Sequence, residues 1–363
     1  MCSNRWLNVT YYVECICFGV AVFLNTILLI LIREKPRLAF GKYKYLMMVF
    51  SILEILYAIM YFWCKPNAHV TQTSFTIFTI LENSHVSKDI GVIAVTIWCS
   101  FYAMMLSLLS IHFFYRYTSV TAPILLMKRF SCRYIFKYTL YILTFSSIWG
   151  LSCYFLCGPT ENKDYELKLE FEEAYCLEPD EYSYVGPQYF YEHRKIIDSN
   201  EEIREKIFHL PSFLGIGIIA VLMVGILVSS ALFGAETYKI LNAQGLACYA
   251  AKELQKQLFK TLVIQSSIPM IFMVLPITCM FLLPFFGVKV GEVANLIPMC
   301  AAIYPCLNPM IAMIFIKDFS NRIIEIITCS KGRRFKVGTL PASSADNTNT
   351  FNMQNLSRLS LTS

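Results

Sequence analysis

Residues 90–113 read IGVIAVTIWCSFYAMMLSLLSIHF, a run of 24 without one Asp, Glu, Lys or Arg. An α-helix crosses the hydrocarbon core of a bilayer in about 20 apolar residues. The run is too long for a core strand. In lipid the backbone has to satisfy its own hydrogen bonds, so the run predicts a membrane-spanning helix.

Six further apolar runs surround it, at 11–32, 45–64, 138–157, 211–234, 260–284 and 291–315. Tyr138, Ser146, Ser147 and Ser152 dilute the fourth span. Pro269 and Pro276 interrupt the sixth, which kinks a membrane helix without abolishing it. The chain has 363 residues, 56% hydrophobic and 15% charged. A soluble domain carries about 25% charged residues. The expected fold is an all-α membrane protein, a seven-transmembrane helix bundle. No length remains for a second soluble domain.

Charge orients the spans. Connections 33–44, 114–137, 235–260 and 317–363 carry 21 Lys and Arg, and the opposite set carries 10. By the positive-inside rule the richer side is cytoplasmic, so the N-terminus is outside and the C-terminus inside. The first span then serves as a signal-anchor, with no cleavable leader before it. Residues 1–10 form an extracellular N-terminus and 11–316 the bundle. Residues 317–330 form an amphipathic juxtamembrane helix against membrane lipid, and 331–363 a disordered cytoplasmic tail. The outer connection 158–210 is long, and its residues 158–209 hold 14 acidic against six basic side chains. It is also aromatic, and its Ser199-x-x-Glu202 reads as a capping box opening a short helix to His209.

Several function classes drop out. The basic residues are explained by membrane orientation, so no nucleic acid is implied. Most of the 14 cysteines lie inside apolar runs, as small hydrophobes. No metal-ligand spacing, nucleophile motif or phosphate loop occurs, so neither a metal, a cofactor nor an enzyme is expected.

The few polar residues inside spans carry the information. Glu54 is the one carboxylate well inside a span, and such groups are functional candidates by default. At 1.5 Å per residue, Glu54 lies roughly 14 Å, Asn25 roughly 10 Å and Asn308 roughly 11 Å from the inner ends of their spans. They form a polar switch cluster on the first, second and seventh spans, beside the bending point at Pro309. Arg116 and Tyr117 close the third span and face an inner partner, or else Arg116 is an orienting flank. Asn8-Val9-Thr10 is a glycosylation acceptor, and Cys329 a palmitoylation candidate.

With those residues placed, the chain resembles the nematode serpentine chemoreceptors of the str class, seven-transmembrane G-protein-coupled receptors. The matching stretches are Gly41-Lys-Tyr-Lys-Tyr-Leu-Met47, His112-Phe-Phe-Tyr-Arg-Tyr117 and Leu254-Gln-Lys-Gln-Leu-Phe-Lys-Thr-Leu262. Gln265, Ile268-Pro269 and Pro276 follow, then Ile303-Tyr-Pro-Cys-Leu-Asn-Pro309 and Ile316-Lys-Asp-Phe319. The resemblance covers about residues 20–325. Asn308 stands where the family usually has Asp, Ser320 where it has a basic residue, and Tyr115 where rhodopsin-like receptors have an acid. No Cys at the outer end of the third span can bridge Cys176, which leaves Cys2, Cys64 or Cys157 as outer partners.

The resemblance implies a chemosensory receptor, in the plasma membrane and sensory cilium, that detects a small, even volatile, molecule. It would activate a heterotrimeric G protein, with kinase and arrestin acting at the tail. A small-solute transporter or a ligand-gated channel is the alternative. A transporter would show repeated halves and a channel a polar stripe, and neither is apparent. The outer half of the third span offers Thr96, Trp98, Ser100 and Tyr102 among apolar neighbours, the mixture typical of small-molecule pockets. The expected ligand contacts are Thr96, Ser100 and Tyr102, under a lid made by the acidic loop. That loop disfavours anions and leaves a neutral or cationic ligand.

Overall fold

The computed structural model describes residues 2–34, 43–81, 87–122, 132–198, 201–243 and 249–328. Its seven spanning helices are α1 (Arg5–Glu34), α2 (Tyr43–Cys64), α3 (Lys88–Thr121), α4 (Cys132–Leu151), α5 (Leu210–Ala243), α6 and α7 (Leu296–Phe315). The sixth, α6, runs Tyr249–Pro269, passes through a π turn at Met270–Val274 and resumes over Leu275–Leu282. A second π turn, Ser152–Leu156, prolongs α4. A short α8 (Lys317–Ile327) follows α7. All seven spans are long and apolar enough to cross a membrane. α3 and α5 reach 34 residues each, because helical bonding continues into their polar ends.

Position in the bundle follows from burial. In their apolar windows α3 and α7 are 67% buried, whereas α5 is 22% buried. α3 is central because it packs against α2, α4, α5 and α6, whereas α5 is the more apolar helix and the less buried one. The outward side chains, such as Phe155 and Val221, are apolar as well, as expected where the neighbours are lipid tails. Gly150 lets α4 approach α3 closely: a Cβ there would stand 2.1 Å from Ser100 Oγ.

The connections at one end of the bundle are not plain loops. Strands β1 (Asn67–Val70) and β2 (Phe75–Ile80) form an antiparallel hairpin, and β3 (Tyr182–Val185) pairs with β2. The register sets Phe78 opposite Tyr184 and Asn67 opposite Phe78. Between α4 and α5 the chain also forms a cap helix, Glu161–Tyr175, whose N-cap Thr160 accepts from Lys163 N. The cap helix buries Leu167, Phe171 and Tyr175 in an aromatic cluster with Phe78, Tyr182 and Tyr184. A disulfide joins Cys2 to Cys176, across 174 residues, so of the three candidate partners it is Cys2 that closes the bridge.

The short helix expected before His209 is a strand. β4 (Phe190–Asp198) and β5 (Glu201–Phe208) form a two-stranded ladder with Glu192 opposite Lys206. An isolated helix of ten residues is marginal in water, whereas the ladder pairs two backbone segments at once. Ser199 and Asn200, Cys329 and the tail 331–363 lie outside the described residues.

At the opposite end Phe319 of α8 is fully buried beside Ile316, Met313 and Tyr43. Arg322 Nε donates to Glu34 Oε2 at 3.2 Å, tying the start of α8 to α1.

Candidate functional site

Three sites lie one above another along the bundle. The middle one begins with a proline. Pro309 has no N–H, so the Pro305 carbonyl four residues earlier loses its helical partner. Asn25 Nδ2 fills the gap, donating to Pro305 O at 3.0 Å and to Ala21 O at 3.0 Å. One residue before that proline, Asn308 Nδ2 donates to Glu54 Oε1 at 2.5 Å. Gln265 Nε2 of α6 donates to the Asn308 carbonyl at 3.2 Å. The structure thus gathers Asn25, Glu54, Asn308 and Pro309 at one depth and adds Gln265, which the sequence marked only as part of the family resemblance. Glu54 Oε2 and Asn25 Oδ1 are buried without a hydrogen-bond partner among the described residues. A half-satisfied polar group in a dry interior is costly, so this level is poised to take water or rearrange.

The lowest site is Arg116, near the end of α3. A flanking arginine would snorkel outward, but Arg116 is 2% exposed. Its guanidinium carbon lies 3.5 Å from the centroid of the Tyr43 ring on α2. Nη1 donates to Gln255 Oε1 of α6 at 3.3 Å, while Nε and Nη2 have no partner among the described residues. The neighbouring Tyr117 stacks toward Phe233 of α5, centroids 5.5 Å apart. One basic side chain therefore links α3, α2 and α6.

The uppermost site is a cavity of about 30 Å³ under the three-stranded sheet, room for one or two waters. Trp98, Tyr102, Trp149, Ile277 and Phe281 wall it, and Phe75 and Gly186 of the sheet end close it. The walls are almost wholly apolar, yet Trp98 Nε1 and the Tyr102 hydroxyl are buried without partners among the described residues. Both are donors. Of the three expected contacts only Tyr102 lines this cavity. Thr96 and Ser100 lie on the α4 side of α3, against Gly150, and Ser100 Oγ donates to Thr96 O at 3.0 Å. The helical period explains the difference: Trp98 and Tyr102, four apart, share one face, and Thr96 and Ser100 share another. Trp149 was missed because it sits in the diluted fourth span.

The roof is fixed by polar contacts of the cap helix, through Lys163, Glu170 and Tyr175. Lys163 of the cap helix is fully buried, and its Nζ donates to Gly186 O at 2.7 Å and Phe75 O at 3.1 Å. Burial pulls the Lys163 ammonium down to about 7. Beside it, His69 Nδ1 pairs with the Tyr175 hydroxyl at 3.1 Å, and Asn295 Nδ2 donates to that same hydroxyl at 2.9 Å. Glu170 of the cap helix sits 3.6 Å from His69 Nε2 and 2.6 Å from Lys289 Nζ. His69 first, and then Lys289, hold that carboxylate down to about 2. β1, the cap helix and the start of α7 are thereby locked together.

Asn8 lies on α1 itself, exposed, while Thr10 of the same tripeptide is buried with its Oγ1 donating to Trp6 O at 2.9 Å. No group of three or more His, Cys, Asp or Glu able to hold a metal occurs among the described residues.

Comparison with known proteins bears on the same architecture. The profile of the serpentine type 7TM GPCR chemoreceptor Str family matches residues 10–324. The chain is 29% identical over 332 residues to Serpentine receptor class r-10 of Caenorhabditis elegans, covering 91% of this chain and 94% of that one. The protein of the same name in Caenorhabditis briggsae is 27% identical over the same length. G-protein coupled receptor str-33 of C. elegans is 24% identical over 311 residues, 85% of this chain and 88% of the relative. With seven membrane helices and a family match from residue 10 to residue 324, the chain belongs to the serpentine type 7TM GPCR chemoreceptor Str family and is a multi-pass membrane protein of a chemosensory receptor class.

Proposed function

We propose that this receptor binds a small, mostly apolar and uncharged molecule in the cavity under the sheet and activates a heterotrimeric G protein through the Arg116 end. The carrying observation is the pair of unpartnered buried donors, Trp98 Nε1 and the Tyr102 hydroxyl, beside an apolar cavity. A buried donor without a partner costs about 1–3 kcal/mol, and a ligand with one acceptor atom relieves that cost. An apolar wall repels a bare charge, which narrows the expected ligand to a neutral one. The cavity is small, so binding has to move Trp149 or Phe281. That displacement is the differential contact a ligand needs to shift a conformational equilibrium.

In this reading the sheet end is extracellular and the Arg116 end cytoplasmic, in the plasma membrane and the sensory cilium. The Asn25, Glu54 and Asn308 level rearranges between the two, Arg116 leaves Tyr43, and Arg116 with Tyr117 receives the G protein. Kinase and arrestin act on the tail. Asn8 as a glycan acceptor and Cys329 as a lipid anchor belong to the same orientation.

The test is agonist dose–response on a receptor tagged after Ser363 and screened with volatile and soluble molecules. Tyr102→Phe should raise the half-maximal concentration about 5- to 10-fold, the loss of one hydrogen bond of about 1 kcal/mol. Thr96→Val and Ser100→Ala should change it less than about 2-fold. Equal effects at all three positions would place the ligand elsewhere. Labelling of the tag in intact cells would reverse the orientation.

A further inference from the structure

A second recess lies apart from the cavity beneath the sheet. It sits between the first turns of α1, the end of α2, strand β2 and the start of α3, and measures about 510 Å³. Glu14 of α1 lines it, 3% exposed, and its Oε1 has no hydrogen-bond partner among the described residues. Asn67 lines it too, 4% exposed. Its Nδ2 is engaged by the Lys65 carbonyl at 3.1 Å, which leaves Oδ1 buried and unpartnered. Two buried polar atoms in one recess are therefore unmet, and both are acceptors. Tyr11 and Trp63 supply aromatic faces in the same wall.

The chemistry that answers this set is specific. Unmet acceptors call for donors, and an unpaired buried carboxylate calls for positive charge. Aromatic faces attract a cation further. A metal ion would leave most of the volume empty, whereas an alkyl stem fills it. We propose that this recess is a second binding site, for an organic primary ammonium whose N–H groups meet Glu14 and Asn67 and whose stem lies along Tyr11 and Trp63. Lys65 is the resident competitor. Its Nζ already lies 4.9 Å from the centroid of the Tyr11 ring, and its backbone holds φ 46, in the left-handed region. Glu14 also borders Tyr61 of α2 and Ala302 and Pro305 of α7. An occupant is thus one side chain away from the carbonyl that Asn25 holds, and it can modulate the receptor from outside the cavity under the sheet.

The full chain in phosphatidylcholine nanodiscs, titrated with n-hexylammonium and in parallel with 1-hexanol by calorimetry, tests this. The ammonium should bind and the alcohol should bind at least about 10-fold more weakly. Glu14→Gln should weaken the ammonium about 10-fold, Lys65→Asn, which tolerates positive φ, should tighten it about 3-fold, and Tyr102→Phe should leave it unchanged. If Glu14→Gln does not fold, Asn67→Asp carries the test by adding a carboxylate, and must tighten binding. No binding by the wild type, equal binding of the alcohol, an unmoved Glu14→Gln or Asn67→Asp, or a loss in Tyr102→Phe as large as in Glu14→Gln each overturns the site.

Discussion

The two ends of this bundle are held by different means. At the sheet end a disulfide, a three-stranded sheet, an aromatic cluster and the Lys163 and Glu170 contacts bind the cap helix to α7 and the hairpin. At the other end, among the described residues, Arg116 meets the rings of Tyr43 and Tyr115 and makes one neutral side-chain hydrogen bond, to Gln255. The first arrangement preserves the shape of a chamber. The second holds a charge inside by contacts that are individually weak. Under the function proposed above, the sheet end receives the ligand and the Arg116 end reports it.

The contrast can be broken most severely at the disulfide. Removing a native bridge that closes a long loop costs about 2–5 kcal/mol. Cys176→Ser should therefore cut surface level several-fold, and Cys2→Ser with Cys176→Ser should be no worse than either alone. Flow cytometry of intact cells measures this, and additive losses would mean that the two cysteines act separately.

Next in size is the polar level between the ends. Removing one partner of a buried hydrogen bond leaves the other unsatisfied and is destabilising. Glu54→Ala and Asn308→Ala should each lower stability, with a coupling of about 1–3 kcal/mol between them. Thermal unfolding of the two single variants and the double variant supplies the cycle. Strict additivity would mean that the 2.5 Å contact carries no energy.

The Arg116 latch should give a smaller, opposite-signed pair. Arg116→Ala should keep surface expression and lose most ligand response. Gln255→Ala removes a bond of about 1 kcal/mol and should raise basal signalling about 3-fold. Unchanged basal activity would make Gln255 a bystander.

The finest test uses protons. Burial holds Lys163 near 7 against its ordinary 10.5. Between those values the unfolded chain binds the extra proton, so stability rises with pH from about 7 towards 10.5. Lys163→Met should remove that rise, read as the difference in melting temperature between about pH 7 and pH 9. A slope that persists would assign it to other groups.

The spans were legible because length and lack of charge are local properties, and the run at 90–113 needed nothing else. The depth of Asn25, Glu54 and Asn308 was legible for the same reason, since helical rise turns sequence position into height. The sheet was not. Phe75-Thr-Ile-Phe-Thr-Ile80 is rich in β-branched and aromatic residues, as strands are, but it does not alternate, and its second partner comes from residues 182–185, far along the chain. The choice of Cys2 over Cys64 and Cys157 likewise depends on which end of the cap helix meets α1. Thr96 and Ser100 lie on the α4 side of α3 and not on the face that lines the cavity. Height comes from counting, whereas azimuth needs the neighbour, here Gly150 of α4. Glu14 was overlooked because it lies near the start of an apolar run, where a carboxylate reads as an interfacial group.

The π turn at Met270–Val274 has a consequence for how such receptors diversify. It fits one residue more than an α turn into the same stretch of helix, and so rotates everything beyond it by roughly 100°. Ile277 and Phe281, beyond the turn, wall the upper cavity, and Gln265, before it, holds the Asn308 carbonyl. Deleting one residue within the turn would swing the cavity wall around while leaving the lower half of the helix where it is. A change of a single codon triplet could thus re-line the upper cavity and leave the Arg116 end of the helix untouched.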